Sequence, residues 1–197
     1  MTNRQLAALE TRKKLIEAAK NIVCEKGLIN TSVEEITKAC GVSNGTFYTY
    51  FKRKEDIVFA LGDYMYRELY EQAMAYEAGI TERLVFYMTR FAEYTEKSSL
   101  KLCQEWVRNA VDPDISPEGK NKLYADINSI KGLLESAVQN GELKTDTPVE
   151  FLAETFADVL YGQMLCWDIS GGEYSFGERA SKFCEKFLSS IIAPYLK

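Results

Sequence analysis

The sequence predicts an all-α fold of about nine helices, a three-helix N-terminal head on a larger helical body. Three observations carry this reading. Apolar residues recur at helical spacing in one segment after another. Between those segments lie helix start and stop signals: Ser or Thr three residues ahead of Glu, Pro at a first helical position, Gly just past an end. No segment shows sustained apolar–polar alternation or a hairpin turn between β-branched runs. The predicted boundary between head and body falls between residues 53 and 54.

Taken in order, the first helix is expected from about Asn3 to Lys26. It carries Leu15, Ile16, Ala19, Ile22 and Val23 on one face, and Gly27 stops it. Ser32 and Glu35 form a capping box for the second helix, whose apolar stripe is Val33, Ile36 and Ala39. Gly41 suits the left-handed helix end, Val42 tucks inward, and Ser43 caps a third helix running to Phe51. The fourth starts near Lys54, holds the period through Ile57, Val58, Leu61, Met65 and Leu69, and is expected to end at Gly79. Thr81 is expected to cap the fifth. Its Leu84, Val85, Tyr87, Met88, Phe91, Ala92 and Tyr94 cover more than one face, the pattern of a central helix.

Ser98 or Ser99 opens the sixth helix, with Leu102, Cys103, Trp106 and Val107, and Asp112-Pro113-Asp114 breaks it. Ser116-Pro117 starts a seventh running to Asn140 and Gly141. Thr147-Pro148-Val149-Glu150 reads as a capping box opening the eighth, which Gly171-Gly172 closes. Ser175 and Glu178 form another box, and the ninth runs to about Ile192. The last two helices are unusually apolar, which points to cover by a second subunit. The candidate dimer interface is Phe151, Tyr161, Met164, Phe183, Phe187, Leu188 and Ile191. A well-buried monomer core is the alternative.

Charge is unevenly placed. The net charge is −5, yet residues 1–55 hold ten Lys/Arg against six Asp/Glu, and residues 56–197 hold fourteen against twenty-three. A small basic module on an acidic body suits a nucleic-acid-binding head. The five cysteines are scattered, none in a CxxC pair, and the chain has no His. These counts argue against a metal site and against a His-dependent catalytic set, so no enzyme, cofactor or metal is expected. The N-terminal MTNRQLAALETRKK does not read as a signal peptide, and uncharged runs are too short to cross a bilayer. The expected compartment is the cytoplasm, with no membrane partner.

The third helix holds the most specific chemistry. On a helical wheel Phe47 and Phe51 share one side, while Gly45, Thr46 and Thr49 point the other way with Tyr48 and Tyr50 on the flanks. Such a face can enter a major groove, and Lys52, Arg53 and Lys54 follow it with charges suited to phosphates. A surface helical hairpin with a solvated face is the rival reading of the same residues.

The run Gly41-Val42-Ser43-Asn44-Gly45-Thr46-Phe47-Tyr48-Thr49-Tyr50-Phe51, with Lys54-Glu55-Asp56 behind it, resembles the signature of the tetracycline repressor (TetR) family. Gly27 and 31–36 fit the upstream spacing of that pattern. The resemblance implies a homodimer in which helices one to three bind a double-stranded DNA operator. Helices four to seven would enclose a ligand, and helices eight and nine would form the dimer interface. It places Ser43, Asn44, Gly45, Thr46 and Tyr48 toward the groove, with Tyr50 and Lys54 on phosphates and Thr31 and Ser32 at the backbone. With Thr49 and Lys52 these make the candidate DNA contacts. One departure is Thr37 after Ile36, where the family commonly has Ala.

The implied function is a ligand-responsive transcriptional regulator, a repressor released from a palindromic operator by a small, largely apolar organic inducer. Candidate pocket residues are Tyr87, Met88, Phe91, Tyr94, Trp106, Tyr124, Tyr161 and Trp167, each of which could equally be plain core. The rival is a helix-turn-helix protein with no small-molecule ligand, either architectural or controlled by a protein partner.

Overall fold

The computed structural model describes residues 2–111 and 116–197, apart from the side chains at 24, 63–65 and 116–119. The predicted breaker at 112–114, the Ser116-Pro117 cap, Cys24 and Met65 lie outside those described. The helix order is as expected: α1 Asn3–Lys26, α2 Val33–Cys40, α3 Asn44–Tyr50, α4 Asp56–Ala75, α5 Ile80–Ser98, α6 Leu100–Ala110, α7 Ser116–Gln139, α8 Val149–Ile169 and α9 Phe176–Phe183. The last rod continues as a π-helical turn, Cys184–Leu188, then α10, Ser189–Ile192. Leu143 and Leu196 form an isolated antiparallel bridge.

The residues fall into two compact units. One is Met1–Tyr64 with Lys101–Gly119, and the other is Met65–Leu100 with Lys120–Lys197. The first has a single apolar core. Leu15, Ile16, Ala19 and Val23 of α1 meet Ile36 of α2, Phe47 of α3, Phe51, and Ile57, Val58 and Leu61 of α4. This core places α3, because Phe47 and the cap residue Phe51 are buried in it. The buried face of α2 is Val33, Ile36, Thr37 and Cys40. Ala39, predicted to lie on it, is exposed.

In the second unit α5 packs chiefly on α9. Its wide buried face, from Ile80 through Leu84, Tyr87, Met88 and Phe91 to Thr95, makes it the central helix the pattern predicted.

Three helix ends lie elsewhere than predicted, and at one of them a distant group supplies the cap. The helix start predicted at Thr81 lies at Gly79. There the Glu142 carboxylate accepts the Ile80 N–H at 2.7 Å and pairs with Arg83. Helix α4 ends at Ala75, short of Gly79, because Gly79 already belongs to that next cap. Thr147 does not cap α8. Its hydroxyl donates to the Lys144 carbonyl at 2.6 Å, and Pro148 stands at the cap without a side-chain bond.

Candidate nucleic-acid interface

The α2–α3 pair is built as its residues prescribe. Ser32 Oγ accepts the Glu35 N–H at 3.1 Å, and Glu35 Oε2 in return accepts the Ser32 N–H at 2.8 Å. Gly41 ends α2 in the left-handed conformation, with φ 68° and ψ 31°. Ser43 Oγ then accepts the Thr46 N–H at 3.2 Å and starts α3. Phe47 and Phe51 anchor the helix, their rings 5.1 Å apart, and the Arg12 guanidinium lies 5.4 Å from the Phe51 ring centre.

Anchoring those two rings turns the opposite face outward. Ser43, Asn44, Gly45, Tyr48 and Thr49 are exposed, and Thr46 and Tyr50 are half-buried. Thr49 donates its hydroxyl to the Gly45 carbonyl at 3.0 Å, which leaves its lone pairs outward. Tyr50 borders an open groove with Gln5, Ala8, Leu9 and Arg12 of α1. This face offers hydroxyl, amide and phenol groups on a slim helix, the surface that major-groove reading uses.

Two predicted contacts sit differently. Thr31 is 2% exposed, and its hydroxyl donates to the Gly27 carbonyl at 2.8 Å, so its side chain holds the α1–α2 turn and offers nothing to a phosphate. Lys54 Nζ donates to the Leu28 and Thr31 carbonyls, at 2.8 and 3.0 Å, and so clamps the same turn. Lys52 is exposed and Ser32 sits at the open start of α2. Arg53 pairs with Asp56.

In the second unit the predicted pocket residues divide. Tyr87, Phe91 and Tyr161 do come together, around groups the sequence reading passed over. Tyr66 stacks on Phe91 with ring centres 4.5 Å apart, and its hydroxyl lies 2.6 Å from Thr95 Oγ1. Lys122 and Asp126 of α7 form an ion pair buried among them. Lys122 Nζ lies 4.2 Å from the Tyr66 ring centre, and Tyr161 donates to Asp126 at 2.7 Å. Burial, with the Asp126 charge adding to it, holds the Tyr87 and Tyr161 phenols well above their ordinary range, so both stay protonated donors.

Met88 is buried on α5, and Tyr94 lies near Gln72. Trp106 belongs to the core of the first unit, Tyr124 is largely exposed under Lys120, and Trp167 stacks on Phe176. The signal for Lys122 and Asp126 was present: they sit four apart, in line with Ile130, Leu133 and Ala137 on the buried face of α7.

The dimer candidates divide in the same way. Phe151 and Phe187 are exposed, with Phe183 and Ile191 half-buried. Met164 and Leu188 are core residues of the protomer, and Tyr161 is held inside by Asp126. Leu165 and Ile169, both missed, are exposed on the same side of α8 as Phe151.

Residues 15–61, which carry this interface, match the family model described as bacterial regulatory proteins, tetR family. Those residues are thus similar to the DNA-binding segment of tetR-family regulators. The chain is similar to the fatty acid metabolism regulator protein of Bacillus subtilis, 23% identical over 90% of this chain and 94% of that one. It is likewise similar to the transcriptional regulator UidR of Escherichia coli, 27% identical over 82% and 84%. Among solved structures, Thermus thermophilus FadR in complex with lauroyl-CoA shares the fold with a TM-score of 0.72, at 24% identity over 90% of this chain and 92% of that one. Bacillus subtilis FadR in complex with stearoyl-CoA does so with a TM-score of 0.67, at 22% identity over 90% and 97%. The matched segment is that of DNA-binding transcriptional regulators, and no helix among the described residues of this chain is long and apolar enough to cross a membrane.

Proposed function

We propose that the chain is a ligand-responsive repressor. Its head, residues 1–53, reads an operator half-site through α3, and its body, residues 54–197, binds an inducer and pairs with a second copy. The observation that carries the DNA reading is the outward face of Ser43, Asn44, Gly45, Tyr48 and Thr49, set by two buried Phe on the other side. Lys52 and Tyr50 flank it for phosphates, with Ser32 at the start of α2. Two copies related by a two-fold axis would place their α3 helices about 34–36 Å apart, one turn of DNA. Exposed Phe151, Leu165, Ile169 and Phe187 on the last two rods support that pairing.

The inducer we favour is an acyl thioester or a related long apolar acyl compound. The relatives solved with lauroyl-CoA and stearoyl-CoA suggest it, and the body holds aromatic walls around hydroxyl donors and one lysine. Ligand binding to the body would draw α4, whose residues contribute to both units, and so lower the population of the DNA-competent state.

Selection from a duplex pool with a randomised centre, using the purified full chain, should recover a palindrome. Binding to it should weaken steeply as salt rises. Lauroyl-CoA or stearoyl-CoA should raise the melting temperature and release the DNA. A chain that selects no palindrome would overturn the operator reading. Neither a shift nor release with either thioester would overturn the inducer class.

A further inference from the structure

Thr37 is an oddity on α2. It lies in the buried face of a short helix, where a hydroxyl has to find a partner. Its oxygen is within hydrogen-bond distance of three groups: the Val33 carbonyl at 3.0 Å, the Glu34 carbonyl at 3.1 Å and Asn44 Oδ1 at 2.6 Å. A threonine inside a helix normally satisfies its single proton on the carbonyl four residues back. Thr37 has that option and also reaches across the turn to the first residue of the recognition helix. The contact to Asn44 is the shortest of the three, at the length of an O–H···O bond.

Asn44 itself is exposed on the face that the DNA reading assigns to the groove. An asparagine side chain has an acceptor end and a donor end, and an unrestrained one can present either. Here one end is tied.

We propose that Thr37 sets the direction of the Asn44 side-chain amide, and thereby the base preference of α3, without touching DNA. With Oδ1 held by the Thr37 hydroxyl, the NH2 group points outward as a pair of donors. In the major groove such a group favours edges made of acceptors, guanine N7 and O6 or thymine O4. It disfavours cytosine, which presents an amino donor. Thr37 is thus a positioning residue, and base choice at one step of each half-site depends on a side chain in the core of the head. The inference rests on the reading of α3 as the base-reading helix.

The test compares Thr37→Val, Thr37→Ser, Asn44→Ala and the Thr37→Val/Asn44→Ala pair with the parent chain. The probe is the duplex recovered from the randomised pool, with all four bases placed in turn at each half-site position. Thr37→Val keeps the volume and β-branching of threonine, so the head is expected to stay folded, which a thermal melt checks. The parent should prefer G or T at one position, and Asn44→Ala should flatten that position alone. Thr37→Val should reduce the same preference about tenfold, the worth of one good base contact. Thr37→Ser should retain it, and the double variant should match Asn44→Ala there, because the two residues act as one unit. A Thr37→Val profile equal to the parent's, or one weakened equally for every base, would overturn the proposal while leaving α3 as the reading helix. If Asn44→Ala changed no position, base reading by α3 at this residue would itself be wrong.

Discussion

Gly45 has no internal reason to be glycine. Its φ is not positive, and an added Cβ would meet only Ser43 Oγ, at an ordinary 3.7 Å. Glycine in a helix costs up to about 1 kcal/mol against alanine. Gly45→Ala should therefore melt slightly higher than the parent while binding the selected duplex at least about tenfold more weakly, the worth of a lost groove contact. Equal affinity would show that nothing approaches this face closely. Glu35 gives a pH prediction. The Lys26 ammonium, and after it the Ser32 N–H, hold its carboxyl down to about 2 from an ordinary 4.5. A carboxyl lowered by folding stabilises the fold above its unfolded value, and that contribution is lost as pH falls. The gap in melting temperature between the parent and Glu35→Gln should be full at pH 6 and closed near pH 2. A gap that persisted unchanged at pH 2 would mean the carboxylate charge is not what the cap uses. At this scale Ser32, Glu35, Gly41 and Ser43 were legible because each acts on residues no more than four away along the chain. Thr31 and Lys54 were not, since their partners are carbonyls of a turn whose path only folding sets.

Elements of the body depend on each other at their ends. Glu96 of α5 accepts from Ser175 Oγ and from the Gly177 N–H, both at 3.0 Å, and so completes a cap for α9 that Glu178 does not reciprocate. Glu142 does the same for α5. Sequence patterns predicted that helices start near these places but could not name carboxylates so far along the chain. Close packing adds a second dependence. An added Cβ on Gly132 of α7 would lie 2.5 Å from the Tyr70 hydroxyl oxygen and 3.2 Å from its ring carbon Cζ, with Tyr70 on α4. Gly132→Ala gains helix propensity, about 1 kcal/mol, but overpacking costs about 1–3 kcal/mol, so the variant should melt lower than the parent. Adding Tyr70→Phe, which removes the oxygen, should recover most of the loss. If Gly132→Ala melts higher on its own, α4 and α7 are not in such tight contact.

For the whole molecule, the exposed apolar groups decide the next test. Ile169 is 77% and Phe187 58% exposed, on rods whose other faces are buried. In the proposed dimer both are covered. Ile169→Glu with Phe187→Glu should give a folded monomer by light scattering, and its affinity for the palindrome should fall because two tethered heads become one. A persistent dimer would place the interface elsewhere. Of the cysteines, Cys166 is exposed on α8, whereas Cys103 and Cys184 are buried, and burial pushes the Cys184 thiol up to about 11, away from the reactive thiolate.

The sequence by itself determined the all-α class, the helix order and the α2–α3 turn, because caps, glycine ends and apolar periods act over a few residues and are written where they act. It also marked the outward face of α3, since two Phe at one spacing leave a single way to bury them. Only the tertiary structure decided which aromatics surround Lys122 and Asp126, which apolar groups of α8 and α9 stay outside, and that Thr37 holds Asn44. Those outcomes depend on which helix faces meet, and a side chain's partner across a packed interface is not encoded by its neighbours along the chain.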